Sequence, residues 1–234
     1  MLCALWSPKG GSGTTTVAAA CALAAARGAG ARLADLEGDQ AAMLGMAADP
    51  PTGLADWLAA GPDAPTEALD RLGVDAAPRL TLLPRGSSEG PPASAAAGAA
   101  LGVALRDSSV PTLADLGTAS SPAAQAMLEV SDVGLMVVRG CYLTLRRAVA
   151  APGLAATHGI LLVDEAGRSL GAREVADVLG RPVLARFPVR SAVARAIDAG
   201  VIASRLPDPL ARPARDVLRA IGVDVENTRG ETAA

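Results

Sequence analysis

The chain has 234 residues, a formal net charge of −3, and 20 arginines against a single lysine, Lys9. Half of its residues are hydrophobic and 19% are charged, which excludes a disordered chain, a disulfide scaffold and a fibrous repeat and leaves one globular domain of ordinary size. Alanine fills 53 positions, the Ala- and Arg-rich, Lys-poor habit of a very GC-rich coding sequence, so most of the composition reports codon bias.

Short apolar runs alternate along the chain with helix-length Ala/Leu segments. In order they predict a strand at 2–6, a helix at 14–27, a strand at 31–36, helices at 53–60 and 66–72, a strand at 80–83 and a helix at 93–106. The second half predicts strands at 110–115, 133–138, 159–163 and 182–187, each followed by a helix, at 122–130, 144–150, 172–179 and 191–199, with a last helix at 209–221. Such alternation builds an α/β fold, a doubly wound and mostly parallel sheet flanked by helices, and continuous apolar strands suit a sheet covered on both faces. We read residues 1–222 as one domain, residues 84–92 (PRGSSEGPP) as its clearest loop, and residues 223–234 as a polar tail that frays.

The opening run MLCALW is broken after six residues by Ser7-Pro8-Lys9-Gly10-Gly11, unlike a secretory signal. The uncharged stretch 90–105, broken by prolines and glycines, falls short of the ~20 apolar residues of a bilayer span. Cys3, Cys21 and Cys141 are too scattered for a disulfide framework or a metal knuckle. These features point to a cytoplasmic protein in a reducing compartment.

The most informative segment is the first βα junction, Ser7-Pro8-Lys9-Gly10-Gly11-Ser12-Gly13-Thr14-Thr15-Thr16. A glycine-rich turn between a first strand and a helix can wrap its backbone N–H groups around phosphates, and the helix N-terminus adds its dipole. The bland alternative is an ordinary glycine-rich turn in which the threonine hydroxyls cap the helix.

Lys9–Thr16 resembles the deviant Walker A motif Lys-Gly-Gly-x-Gly-Lys-Thr-Thr of the ParA/MinD family of P-loop ATPases, matching seven of its eight positions. The resemblance implies a P-loop NTPase fold that binds ATP and Mg²⁺ through Lys9, Gly10, Gly11, Ser12, Gly13, Thr14, Thr15 and Thr16. Within it, Lys9 takes the place of the signature lysine that reaches a dimer partner's phosphates, Thr15 that of the Mg²⁺-ligating hydroxyl, and Thr16 lies near the α-phosphate. Thr14 departs from the motif, standing where the family keeps its phosphate-loop lysine. Losing that cation removes a charge-assisted contact of ~1.5–3 kcal/mol and a stabiliser of transition-state charge, so binding weakens and hydrolysis suffers more. A Gly-Thr-Thr-Thr loop resembles the CpaE/TadZ branch, the localisation factors of Flp/Tad pilus systems, and septum-site proteins of high-GC bacteria.

Downstream positions extend the resemblance. Asp35-x-Glu37 stands where the family has Asp-x-Asp, whose acids orient the attacking water, so both join Lys9 as catalytic candidates; solvated acids closing a strand are the alternative. The run 110–118 resembles a Walker B strand delivering Asp115 toward Mg²⁺. Asp164 falls where many members have an adenine-reading Asn, and Phe187-Pro188 with the helix after it resembles the strand, proline turn and helix that close the nucleotide pocket. Asp164 and Pro188 are therefore nucleotide-binding candidates.

Ten of the 20 arginines lie between Arg168 and Arg219, where ParA-type proteins bind DNA nonspecifically, but interleaved acids and prolines favour a solvated face. The polar end of the chain lacks the basic amphipathic helix with which MinD-type relatives lie on membranes, so no direct membrane anchor is expected. His158, the one histidine, has no Ser or Cys nucleophile context beside it, and Trp6 and Trp57 read as packing residues. Taken together, the sequence predicts an ATP-binding, homodimeric positional or assembly factor with weakened or absent hydrolysis. Its expected partners belong to pilus, secretion or division machinery, and recruitment to a pole or septum would come through such a partner. The alternatives are an active partition-type ATPase that binds DNA, and a nucleotide-free scaffold.

Overall fold

A computed structural model describes residues 1–88 and 92–225. Residues 89–91 of the expected loop and 226–234 of the expected tail lie outside the described residues. Among the described residues eight strands form one sheet: β1 (Leu2–Trp6), β2 (Ala31–Asp35), β3 (Val74–Ala77), β4 (Leu80–Leu83), β5 (Thr112–Asp115), β6 (Val133–Arg139), β7 (Gly159–Asp164) and β8 (Val183–Pro188). Their order is β3-β4-β2-β5-β1-β6-β7-β8, parallel except for the β3–β4 hairpin at one edge. The fold is therefore the doubly wound, mostly parallel sheet that the alternation predicts. β3 escapes the sequence pattern because Val-Asp-Ala-Ala has no alternation to mark it, and it exists by pairing with β4 across a turn in which Arg79 adopts a φ of +63°.

Ten α-helices of the described residues cover the two faces: α1 (Thr14–Ala26), α2 (Gln40–Met43), α3 (Leu54–Ala59), α4 (Glu67–Leu72), α5 (Ala95–Arg106), α6 (Pro122–Val130), α7 (Tyr142–Ala150), α8 (Ala172–Leu179), α9 (Ser191–Asp198) and α10 (Asp208–Ala220). α1 is apolar all round and every residue from Val17 to Ala26 is buried, the signature of a helix enclosed by its neighbours rather than half exposed. Its alanines let α1 lie close between the sheet and α10, whose Leu210, Ala214, Val217 and Leu218 close that core. The opposite face packs Leu2, Trp6, Leu54, Trp57, Leu101, Met127 and Val138 into a second core.

Serines start two of the helices on that second face. Ser94 caps α5 by accepting from the Ala97 N–H at 3.1 Å, and Ser121 caps α6 by accepting from Ala124 at the same distance. Trp6 donates to Thr157 at 3.1 Å and Trp57 to the Pro65 carbonyl at 3.0 Å, so both perform the packing roles expected of them, while the exposed His158 accepts from the Gly134 N–H through Nδ1 at 3.0 Å. Among the described residues no helix is long and apolar enough to cross a membrane.

The tightest helix contact falls at Gly98 of α5, where a Cβ would lie 2.1 Å from the Ala123 carbonyl oxygen of α6. Gly98→Ala must push the two helices apart, so chemical denaturation of this variant should show a loss of about 1–3 kcal/mol in unfolding free energy.

Candidate functional site

β1 lies between β5 and β6, at the point where successive connections turn from one half of the sheet to the other. Open α/β sheets bind ligands beyond the carboxyl ends of their strands at such a point. There the chain leaves β1 through Ser7–Gly13 and enters α1. Gly11 and Gly13 hold φ values of +74° and +97°, a region that strains any side chain. Ser7 and Ser12, buried at 1% and 2% exposure, both donate to the Lys9 carbonyl, at 2.9 and 2.7 Å, while the Ser7 N–H donates to Gly117 at 2.8 Å. The loop is thus braced from beneath by its own hydroxyls. Among the described residues the N–H groups of Gly10, Gly11, Gly13, Thr14, Thr15 and Thr16 have no partner, and with the α1 dipole they form a cradle suited to an anion.

Two cationic positions matter to this cradle. Thr14, the first residue of α1, is 6% exposed and brings no charge. Lys9 folds back along its own loop, its Nζ donating to the Gly10 carbonyl at 3.0 Å.

The acidic candidates converge beside the loop. Asp35 and Asp115 are register partners at the ends of neighbouring strands and are buried at 1% and 0% exposure. Asp35 accepts three backbone N–H groups, from Glu37 at 3.1 Å, Gly38 at 2.7 Å and Gln40 at 2.9 Å, and so builds the turn that follows β2. Burial nevertheless pushes its carboxyl from the ordinary 3.8 up to about 6, helped by the charge of Asp115. Asp115 is also raised by burial, opposed by the Gly117 N–H, the Thr15 hydroxyl and the Gln40 amide. Glu37 presents its carboxylate over Gly117, where a Cβ would lie 2.2 Å from Glu37 Cδ. Partial burial and the charges of Asp115 and Asp39 raise Glu37, while Arg85 from the loop after β4 opposes them.

Thr15 and Asp115 fit a divalent cation in one respect. The Thr15 hydroxyl gives its proton to Asp115, which leaves its oxygen lone pairs for a hard metal such as Mg²⁺. Among the described residues no group of three His, Cys, Asp or Glu side chains could hold a metal by itself, so such a cation would complete its shell with water and phosphate oxygens. Asp164 and Pro188 are register partners at the ends of β7 and β8. The β7 end borders the loop, since a Cβ on Gly13 would meet Val163 at 3.5 Å. Asp164 is engaged by Arg186 at 2.7 Å, an ion pair that no sequence pattern signals.

The residue that sequence reasoning passes over is Gln40. Fully buried, its Nε2 donates to the Thr15 carbonyl at 3.1 Å and to Asp115 Oδ2 at 2.9 Å. Its proximity to Asp35 in sequence was the only available signal. A groove of about 250 Å³ runs alongside, lined by Glu37, Gly38, Asp49, Arg85 and Ser87.

Comparisons with solved structures place the fold. A ParA family ATPase from Chlorobium tepidum superposes with a TM-score of 0.75 at 20% identity, covering 92% of this chain and 96% of that one. The MinD cell division protein of Aquifex aeolicus gives 0.76 at 19% identity over 95% and 97%. The septum site-determining protein MinD of Pyrococcus horikoshii, in complex with Mg-ADP, gives 0.73 at 19% identity over 94% and 95%. No protein-family model matches the chain, and no curated protein matches it. At these identities the likeness is one of fold: the chain has the P-loop NTPase fold of ParA/MinD-type proteins.

Because folding favours the protonated form of Asp35, this group lowers stability only above its unfolded value. Its contribution falls as pH rises from about 4 to about 6 and is constant beyond, a change on the order of 3 kcal/mol. Carbon-13 NMR of the Asp35 carboxyl in the nucleotide-free protein should titrate near pH 6, whereas a midpoint at or below 4 would show that the three N–H donors outweigh burial.

Proposed function

We propose that the chain binds ATP with Mg²⁺ at Lys9–Thr16, hydrolyses it slowly or not at all, and acts as a homodimeric positional or assembly factor of the ParA/MinD type. The observation that carries this reading is the cradle of unpartnered N–H groups between β1 and α1, with the Thr15–Asp115 contact beside it. Gly10 to Thr16 surround the phosphates, Thr15 and Asp115 hold Mg²⁺, and Asp164 and Pro188 border the base. Held there, Mg²⁺ would neutralise phosphate charge.

The protein's own contributions are unequal. The N–H groups and the α1 dipole bind phosphate without a lysine, so affinity survives Thr14 better than turnover does. Glu37, in the open, is placed to orient a water, while Asp35 has its oxygens committed to the turn and shapes the path of Glu37. Lys9 is the remaining cation, and release of its bond to Gly10 frees it to reach a partner's phosphates across a dimer.

Residues 1–222 act in this reading as one domain in the cytoplasm, recruited to a pole or septum through a protein partner of pilus, secretion or division machinery, as the CpaE/TadZ resemblance implies. A DNA-binding partition role draws less support. Arg168, Arg173, Arg186 and Arg219 pair with Glu165, Asp177, Asp164 and Asp216 and so form a mixed-charge surface rather than a basic stripe.

Titration of ATP and ADP against the monomer–dimer equilibrium, with phosphate release measured in parallel, tests the reading. ATP-dependent dimerisation with little or no turnover is expected, turnover abolished by Lys9→Ala favours a working ATPase, and absence of nucleotide binding leaves a scaffold. Thr14→Lys should tighten ATP binding about ten- to a hundredfold, the effect of restoring one charge-assisted contact; unchanged affinity would remove the phosphate site from Lys9–Thr16.

A further inference from the structure

We propose that Gln40 is a positioning residue that couples the magnesium end of the site to the turn carrying Glu37. The inference rests on the nucleotide reading above. Gln40 is uncharged, fully buried and placed at the first residue of α2, where the ends of β2 and β5 meet the first turn of α1. Both hydrogens of its amide are committed, one to the Thr15 carbonyl at 3.1 Å and one to Asp115 Oδ2 at 2.9 Å. Its backbone N–H donates to Asp35 Oδ2 at 2.9 Å, within the same carboxylate that collects the N–H groups of Glu37 and Gly38.

The amide orientation follows from chemistry. Turned over, Oε1 would face a carbonyl and a carboxylate, two acceptors, so only Nε2 can point at them. Among the described residues Oε1 is then a buried acceptor without a partner. Such an atom is costly unless a donor reaches it, and next to Thr15 and Asp115 the donor of suitable size is a water belonging to a hydrated cation.

One side chain therefore links the residue that would ligate the cation, the carboxylate that receives its proton and the turn that holds Glu37. When Asp115 and Thr15 adjust to a cation, Gln40 moves with them and carries its backbone N–H, and with it the Asp35 turn. Glu37 is brought into register with the phosphates only when the cation is present. Gln40 touches neither phosphate nor cation in this account and acts through Asp115 and Asp35.

The test compares the whole wild-type chain with Gln40→Met, which keeps the volume and removes the polar groups. The readouts are ADP affinity as a function of Mg²⁺ and amide hydrogen exchange at residues 10–16 and 37–40. Wild-type protein with Mg²⁺ and ADP should gain at least about tenfold protection in both segments. Gln40→Met should gain it at 10–16 only, with the Mg²⁺ midpoint raised about tenfold and metal-free ADP affinity unchanged. A midpoint within twofold of wild type, protection retained at 37–40, or protection lost equally from both segments would each overturn the proposal. If Gln40→Met does not fold, Gln40→Asn carries the same expectation, because its shorter amide reaches one acceptor but not both. Wild-type protein that binds no nucleotide with or without Mg²⁺ defeats the nucleotide reading itself, whereas normal wild-type binding with an unaltered variant defeats only the role of Gln40.

Discussion

The arrangement depends on a carboxylate buried at the end of a central strand. Asp115 is fully buried and accepts from the Gly117 N–H at 3.0 Å and the Gln40 amide at 2.9 Å, and it is held down by the Thr15 hydroxyl. A buried charge persists only when its lone pairs are satisfied. Satisfying those of Asp115 draws the loop after β5, the first turn of α1 and the start of α2 onto one point. The Ser7 N–H on the Gly117 carbonyl then fastens the phosphate loop to the same node.

Around that node the charge is unbalanced. Burial raises Asp35, Glu37 and Asp115 above their ordinary range, with added repulsion from Asp115 on the first two and from Asp39 on Glu37 and Asp115. Lys9 is turned to its own loop, Thr14 is neutral, and Arg85 acts on Glu37 through its charge. A cluster of carboxylates beside an N–H cradle attracts a cation at one place and an anion at the next, which is the pairing that a metal–phosphate ligand satisfies.

The sheet was legible because period and composition speak directly to burial. Continuous apolar runs such as Leu2–Trp6 can lie only inside a covered parallel sheet, and the all-apolar α1 can lie only between layers. β3 and the four-residue α2 were not legible, since neither is long enough to show a period. The loop's glycines and threonines announced a phosphate cradle, yet nothing in their spacing indicated that Ser7 and Ser12 would brace it through the Lys9 carbonyl. Asp35 and Glu37 look interchangeable in sequence; three N–H donors separate them in space.

By itself the sequence determined the alternation of layers, the glycine turn after the first strand, and a chain with one lysine whose loop holds threonine at the next expected cationic position. These are local properties, fixed by side-chain period and by the conformations that glycine permits. Only the tertiary structure decided that Asp115, Gln40 and Thr15, with up to a hundred residues between them along the chain, share one hydrogen-bonded node, and that Lys9 rests on its own loop. The physical reason is that buried polar groups choose partners by proximity after the sheet has formed, and strand order, not sequence separation, sets which ends become neighbours.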